Sequence, residues 1–201
     1  MANADIRKGL VPVDHQILKG YCGKSRPYYV PATYAVALYV GDPVLVTGTS
    51  NTANILGHKA GALPEINLAT AGDGNYIAGV ITGFDLPLDG NTPFSANNKP
   101  ASKEAVVWVN DDPYTIFEIQ ADSANAVAET DISSNANIVY THSGSGAYSG
   151  CELNTASMTT TYTYQLRILG LVERADNALG INAKLLVRIN KHFYAPITPG
   201  I

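Results

Sequence analysis

Residues 107–120 read VWVNDDPYTIFEIQ, and the fold turns on how this stretch is read. Two runs rich in valine, isoleucine and aromatic residues flank an acidic corner, Asp111-Asp112-Pro113. Such side chains fit a pleated, half-buried surface. Both runs are therefore predicted strands, and the whole stretch a hairpin. Phe117 and Ile119 alternate with Glu118 and Gln120. A period of two places Phe117 and Ile119, together with Trp108, in the core, and turns Glu118 and Gln120 toward solvent or a neighbouring subunit.

The paired aspartates invite a catalytic or metal-binding role. Adjacent strand residues point to opposite faces, so their carboxylates do not easily converge. In a turn, each can instead accept from local backbone N–H groups. Pro113 biases Asp112 toward an extended conformation and starts the next strand. Asp111, Asp112 and Pro113 are accordingly read as a structural turn.

Further strands are predicted in YAVALYVGDPVLVTGTSNT (34–52, two strands), YIAGVITGF (76–84), NIVYT (137–141), TTTYTYQLRILGLVER (159–174) and KLLVRIN (184–190). In the last, Leu185, Val187 and Ile189 give one apolar face, against Lys184, Leu186 and Arg188 on a mostly wet one. Short helices are conceivable at 14–19 and 123–130, but no long helical period exists. The expectation is an all-β chain, an antiparallel β-barrel or jelly-roll-like sandwich over residues 34–195, with loop-rich insertions at 50–75 and 85–103. Residues 1–33 carry Pro12, Pro27 and Pro31 and read as an extended N-terminal arm. Residues 196–201 read as a tail. Tyr28, Tyr29 and Tyr34 are the candidate interface residues of the arm, packing onto the parent domain or anchoring on another chain.

A chain of 201 residues can bury a core without staples. Its 13 Lys and Arg are scattered and its formal net charge is −4, so no basic block exists to capture a phosphate backbone. The N-terminus lacks the apolar segment of a signal peptide, and the apolar run near YAVALYV is far too short to span a membrane. Cys22 and Cys151 are expected to be free thiols. The four histidines, His15, His58, His142 and His192, show no zinc-like spacing. Gly144, Gly146 and Gly150 follow G-x-G-x-x-x-G, which misses the dinucleotide fingerprint, and Gly144-Ser145-Gly146 fails the nucleophile-elbow spacing. No catalytic, cofactor-binding or metal-ligating residue is assigned.

Four phrases carry a resemblance: RPYYVPATYAVALYVGDPVLVTGTS (26–50), YIAGVITGF, VVWVNDDPYTIFEIQADS (106–123) and AKLLVRINKHFY (183–194). Together they resemble the head-decoration, or cement, proteins of tailed bacteriophages, over roughly residues 25–195. The resemblance implies a non-enzymatic virion protein, made in the host cytoplasm, with a β-rich fold. It would bind the major capsid protein on the outer face of an expanded shell and resist internal DNA pressure. It would act as a homo-oligomer, a dimer or trimer, with no nucleic acid or membrane as partner. The chain is larger than the small trimeric decoration proteins. Alternatives are a head–tail connector or tail or fibre-base protein, a carbohydrate-binding module stacking sugars on Trp108 or a tyrosine row, and a small hydrolase combining His142, Ser145 and a carboxylate.

Overall fold

The two runs of 107–120 do become strands, but they do not pair with each other. The computed structural model describes residues 3–85, 97–140 and 148–195. Among these, the strands are β1 (Val11–His15), β2 (Arg26–Val30), β3 (Leu38–Tyr39), β4 (Pro43–Ser50), β5 (Pro64–Leu68), β6 (Gly79–Asp85), β7 (Asn98–Lys99), β8 (Ala105–Asn110), β9 (Thr115–Gln120), β10 (Asn135–Ala136), β11 (Ile138–Tyr140), β12 (Cys151–Leu153), β13 (Leu166–Leu171) and β14 (Lys184–Ile189). Strand β8 pairs antiparallel with β2 and β6. Strand β9 pairs antiparallel with β1 and β14. The acidic corner is thus where the chain leaves one sheet and enters another, and the expected hairpin is corrected. Its physical cause is visible at the corner, where each aspartate is held by a different part of the fold.

The described residues form an all-β fold, with their strands in four sheets. One has five strands in the order β1-β9-β14-β13-β10. A second runs β2-β5-β4-β6-β8, and β8 returns to β2. Its one parallel contact is the pair Tyr29↔Glu65 between β2 and β5. The pairs β11-β12 and β3-β7 form two small sheets.

Alternation along the strands builds two large cores and a small third cluster of Ile55, Leu63 and Val106. Tyr28, Val30, Val44, Val46, Ile66, Ile81, Phe84, Val107 and Val109 pack together among β2, β4, β5, β6 and β8. The opposite faces of β4 and β6, through Leu45 and Val80, join Phe117, Ile119, Leu166, Ile168, Leu185, Val187 and Ile189 of the five-stranded sheet. The expected apolar face of β14 is buried, with Leu185 and Val187 fully so. Phe117 and Ile119 are buried as expected.

Other expectations change. Trp108 is not in the core: Val107 and Val109 face inward, which turns Trp108 outward, half-buried, with Nε1 donating to Asp85 Oδ2 at 2.8 Å. Gln120 and Lys184 are buried rather than wet, because residues 4–6 cover them. Gln120 Oε1 accepts from Ile6 N at 2.8 Å, and Lys184 Nζ donates to Ala4 O at 3.1 Å. The predicted strand at 159–174 shrinks to β13, and β5 lies inside the expected loop 50–75. Of the segment 14–19, Asp14 and His15 end β1 and the rest forms a turn, and 123–130 contributes only to a 3-10 turn at Glu129–Asp131. Most of the loop 85–103, residues 142–147 of the glycine-rich loop and the tail 196–201 lie outside the described residues.

Residues 3–33, expected to be an extended arm, pair and pack within the chain. β1 is an edge of the five-stranded sheet and β2 belongs to the second sheet. The Asn3 amide donates to Ala178 O at 2.8 Å and accepts from Ala178 N at 2.9 Å. Gly9, at φ +68°, packs so tightly that a Cβ there would stand 2.3 Å from Gly41 O and 2.5 Å from Ser149 Cβ. The prolines correctly signal extended backbone, but this extension is paired within the chain. Tyr28 is 2% exposed in the inner core. Tyr29 packs on Ile55, Leu63 and Val106. The Tyr34 hydroxyl accepts from Leu68 N at 3.1 Å, and its ring lies 5.6 Å from Lys99 Nζ. Buried Lys99 donates to Pro100 O at 2.9 Å and Val36 O at 3.2 Å, and burial lowers its pKa to about 8.

Candidate interaction surface at the acidic corner

Asp111 and Asp112 diverge, as neighbouring extended residues must. The Tyr28 hydroxyl donates to Asp111 Oδ2 at 2.8 Å, and an Arg26 guanidinium nitrogen lies 3.4 Å from the same oxygen. The Tyr28 and Tyr194 hydroxyls are 3.1 Å apart. Burial, with the bonds to Tyr194 and Asp111, lifts the Tyr28 phenol far above its ordinary pKa. Asp111 thereby ties the corner to β2 and to the C-terminal segment.

Asp112 ties it to β1. Its Oδ1 accepts from Tyr114 N at 2.9 Å, the local turn bond expected of an aspartate. Its Oδ2 lies 3.2 Å from His15 Nε2. His15 Nδ1 accepts from the backbone N–H groups of Ile17 at 3.1 Å and Leu18 at 3.0 Å. A ring nitrogen that accepts carries no proton, so in the neutral ring the proton sits on Nε2 and is donated to Asp112. Each end of the buried imidazole is therefore used.

The turn after β1 is built around this ring. Asp14 Oδ1 accepts from Gly20 N at 2.5 Å and His15 N at 2.8 Å, and these N–H groups, Gly20 first, lower the Asp14 pKa. Lys19 and Gly20 adopt positive φ, +52° and +93°, closing the turn. Gln16 N donates to Tyr114 O at 2.9 Å, which joins it to the corner. Held in this way, Ile17 and Leu18 are 63% and 56% exposed. Val13 and Tyr114 are also exposed large side chains. A hydrophobic turn with a fixed backbone would lose little entropy if another surface covered it.

Beside it lies a cleft of about 680 Å³ whose lining includes Lys24, Arg26, Asp111, Asp112, Tyr114 and Tyr194. Two residues before Tyr194, the buried His192 accepts through Nδ1 from Tyr194 N at 3.1 Å. Burial lowers its pKa to about 4, against a smaller opposing effect of Asp112. At the other end of the second sheet, burial raises Asp42 to about 6, although Ser149 and Tyr39 N bond to it.

Among the described residues, no group of three or more His, Cys, Asp or Glu is placed to hold a metal ion. His142 and Ser145 of the hydrolase alternative lie outside the described residues. Cys22 is exposed and Cys151 buried, both as thiols. Among the residues singled out from sequence, Tyr28, Asp111, Asp112 and Pro113 come together at this corner, while Trp108, Phe117 and Ile119 do not. Sequence reasoning missed His15, Ile17 and Leu18. The available signal is Asp14 followed by Gly20 around an apolar pair, an aspartate-capped turn. No family model, curated protein or solved structure matches the chain.

Proposed function

We propose that this chain is a non-enzymatic structural protein that attaches to the outer surface of a bacteriophage head and stabilises the expanded shell against packaged DNA. Its partner is the major capsid protein. It works as a homo-oligomer, a dimer or trimer, on the virion after synthesis in the host cytoplasm. The observation that carries this reading is the docked turn at 15–20, which holds Ile17 and Leu18 exposed on backbone fixed by Asp14 and His15. Burying one such side chain contributes roughly 1.5–3 kcal/mol. A turn ordered in advance loses little entropy on docking. Repetition over a lattice turns such modest contacts into firm attachment. The resemblance of the strand and turn phrases to those of head-decoration proteins supports the same reading. Within it, the ring β2-β5-β4-β6-β8 is read as a small barrel and the five-stranded sheet as the layer beside it.

Imaging an intact particle at side-chain resolution tests the proposal. We expect this chain on the outer face at junctions between capsomers, with Ile17 and Leu18 against the shell. Density at the head–tail junction or along the tail would overturn it in favour of a connector or fibre-base role.

A further inference from the structure

We propose that the cleft at the acidic corner binds a neutral saccharide. Its volume of about 680 Å³ lies within the roughly 300–1,000 Å³ typical of small-ligand sites. Four charged side chains line it, Lys24 and Arg26 against Asp111 and Asp112, and their formal charges cancel. An anion would meet two carboxylates, a cation would meet a lysine and an arginine, and an apolar ligand would strip water from all four. A ligand bearing many hydroxyls meets none of these costs, because each hydroxyl both donates and accepts.

Tyr114 and Tyr194 supply the remaining element. They are 42% and 39% exposed on the same cleft, so each offers apolar ring surface together with a polar edge. The C–H faces of a pyranose ring pack on such a surface while its hydroxyls reach the charged groups. The acceptors are in place before a ligand arrives. Asp112 is held by His15 and by Tyr114 N, and Asp111 by Tyr28 and Arg26. A carboxylate has about four lone-pair sites, so Asp112, with its side chain 24% exposed, keeps capacity for sugar hydroxyls, while Asp111, 9% exposed, holds the cleft wall in place. This site is distinct from the Trp108 platform that the sequence suggests, since Trp108 does not line the cleft.

The test is an NMR titration of the full chain, isotope-labelled at tyrosine, with neutral tetrasaccharides of glucose, galactose, mannose and N-acetylglucosamine. We expect saturable shifts at Tyr114 and Tyr194 with at least one of them. Tyr114→Ala, and separately the exposed Lys24→Ala, each checked for an unchanged unfolding midpoint, should weaken binding about ten-fold. Absence of saturable shifts at both tyrosines with the whole panel would overturn the proposal. So would unchanged affinity in both variants, or tighter binding of a sialylated or sulfated tetrasaccharide than of any neutral one.

Discussion

His15 and Asp112 are 97 positions apart in sequence, and His15 Nε2 lies 3.2 Å from Asp112 Oδ2. That contact joins the corner between β8 and β9 to the turn that follows β1. One ring nitrogen is spent on the carboxylate and the other on two backbone N–H groups. The position of Ile17 and Leu18 therefore depends on a residue far away in the chain.

Removing the ring should loosen the turn. His15→Ala leaves the Ile17 and Leu18 amides without their acceptor and Asp112 without a partner at Oδ2. We expect a loss of about 1–3 kcal/mol in urea unfolding. Hydrogen exchange at the Ile17 and Leu18 amides should accelerate more than at Phe117 or Val187. Equal acceleration throughout would point to general destabilisation.

Tyr28→Phe removes one hydroxyl from the buried junction of Asp111 and Tyr194. Its ring stays in the inner core, so the change isolates the polar contact. A cost of about 1–2 kcal/mol is expected, read as a lower midpoint with unchanged urea sensitivity.

Asp42 and His192 should oppose each other in the pH dependence of stability. Asp42 rises from 3.8 to about 6 on folding, so the fold favours its protonated form. Its penalty is absent below pH 3.8, grows as pH rises, and is complete above about 6. His192 falls from 6.5 to about 4, so stability is full above pH 6.5 and is lost as pH drops toward 4. Each shift spans somewhat over two pH units, worth about 3 kcal/mol at full burial. Their contributions should largely cancel between pH 4 and 6. Asp42→Asn should unmask a loss of stability on acidification, and His192→Gln a gain. Unfolding curves across this range check both signs.

Gly9→Ala tests whether the N-terminal segment packs on its own chain. The added Cβ would collide with Gly41 O and Ser149 Cβ, in a backbone already at φ +68°. Gly57 is the control, with φ +85° and nothing within 4 Å of an added Cβ. We expect Gly57→Ala to cost about 1 kcal/mol and Gly9→Ala to cost clearly more. Equal costs in thermal unfolding would mean that residues 3–10 do not sit where Gly41 and Ser149 face them.

What was legible in the sequence was local. Leu185, Val187 and Ile189 reveal the buried face of β14 because a period of two needs no knowledge of partners. Phe117 and Ile119 do the same for β9. Trp108 misleads because apolar residues fill both faces of β8, so alternation does not say which face is inner. Pairing itself is non-local: nothing in VWVNDDPYTIFEIQ states that β8 joins β2 and β6 while β9 joins β1 and β14. The prolines of residues 1–33 announce extended chain but not the sheets that receive it. At the corner, the sequence offers Asp111 and Asp112 and their local turn bond, whereas Tyr28 and His15 arrive only through tertiary contact.

Shell attachment is tested most directly by co-sedimentation with expanded bacteriophage heads. Wild type is compared with the double variant Ile17→Ser, Leu18→Ser, whose exposed positions should change stability by no more than about 0.5 kcal/mol. We expect wild type to bind expanded heads tightly and unassembled capsid subunits weakly, and the double variant to lose at least about ten-fold in head affinity. Failure of wild type to bind expanded heads, or equal head binding by the double variant, would contradict the account.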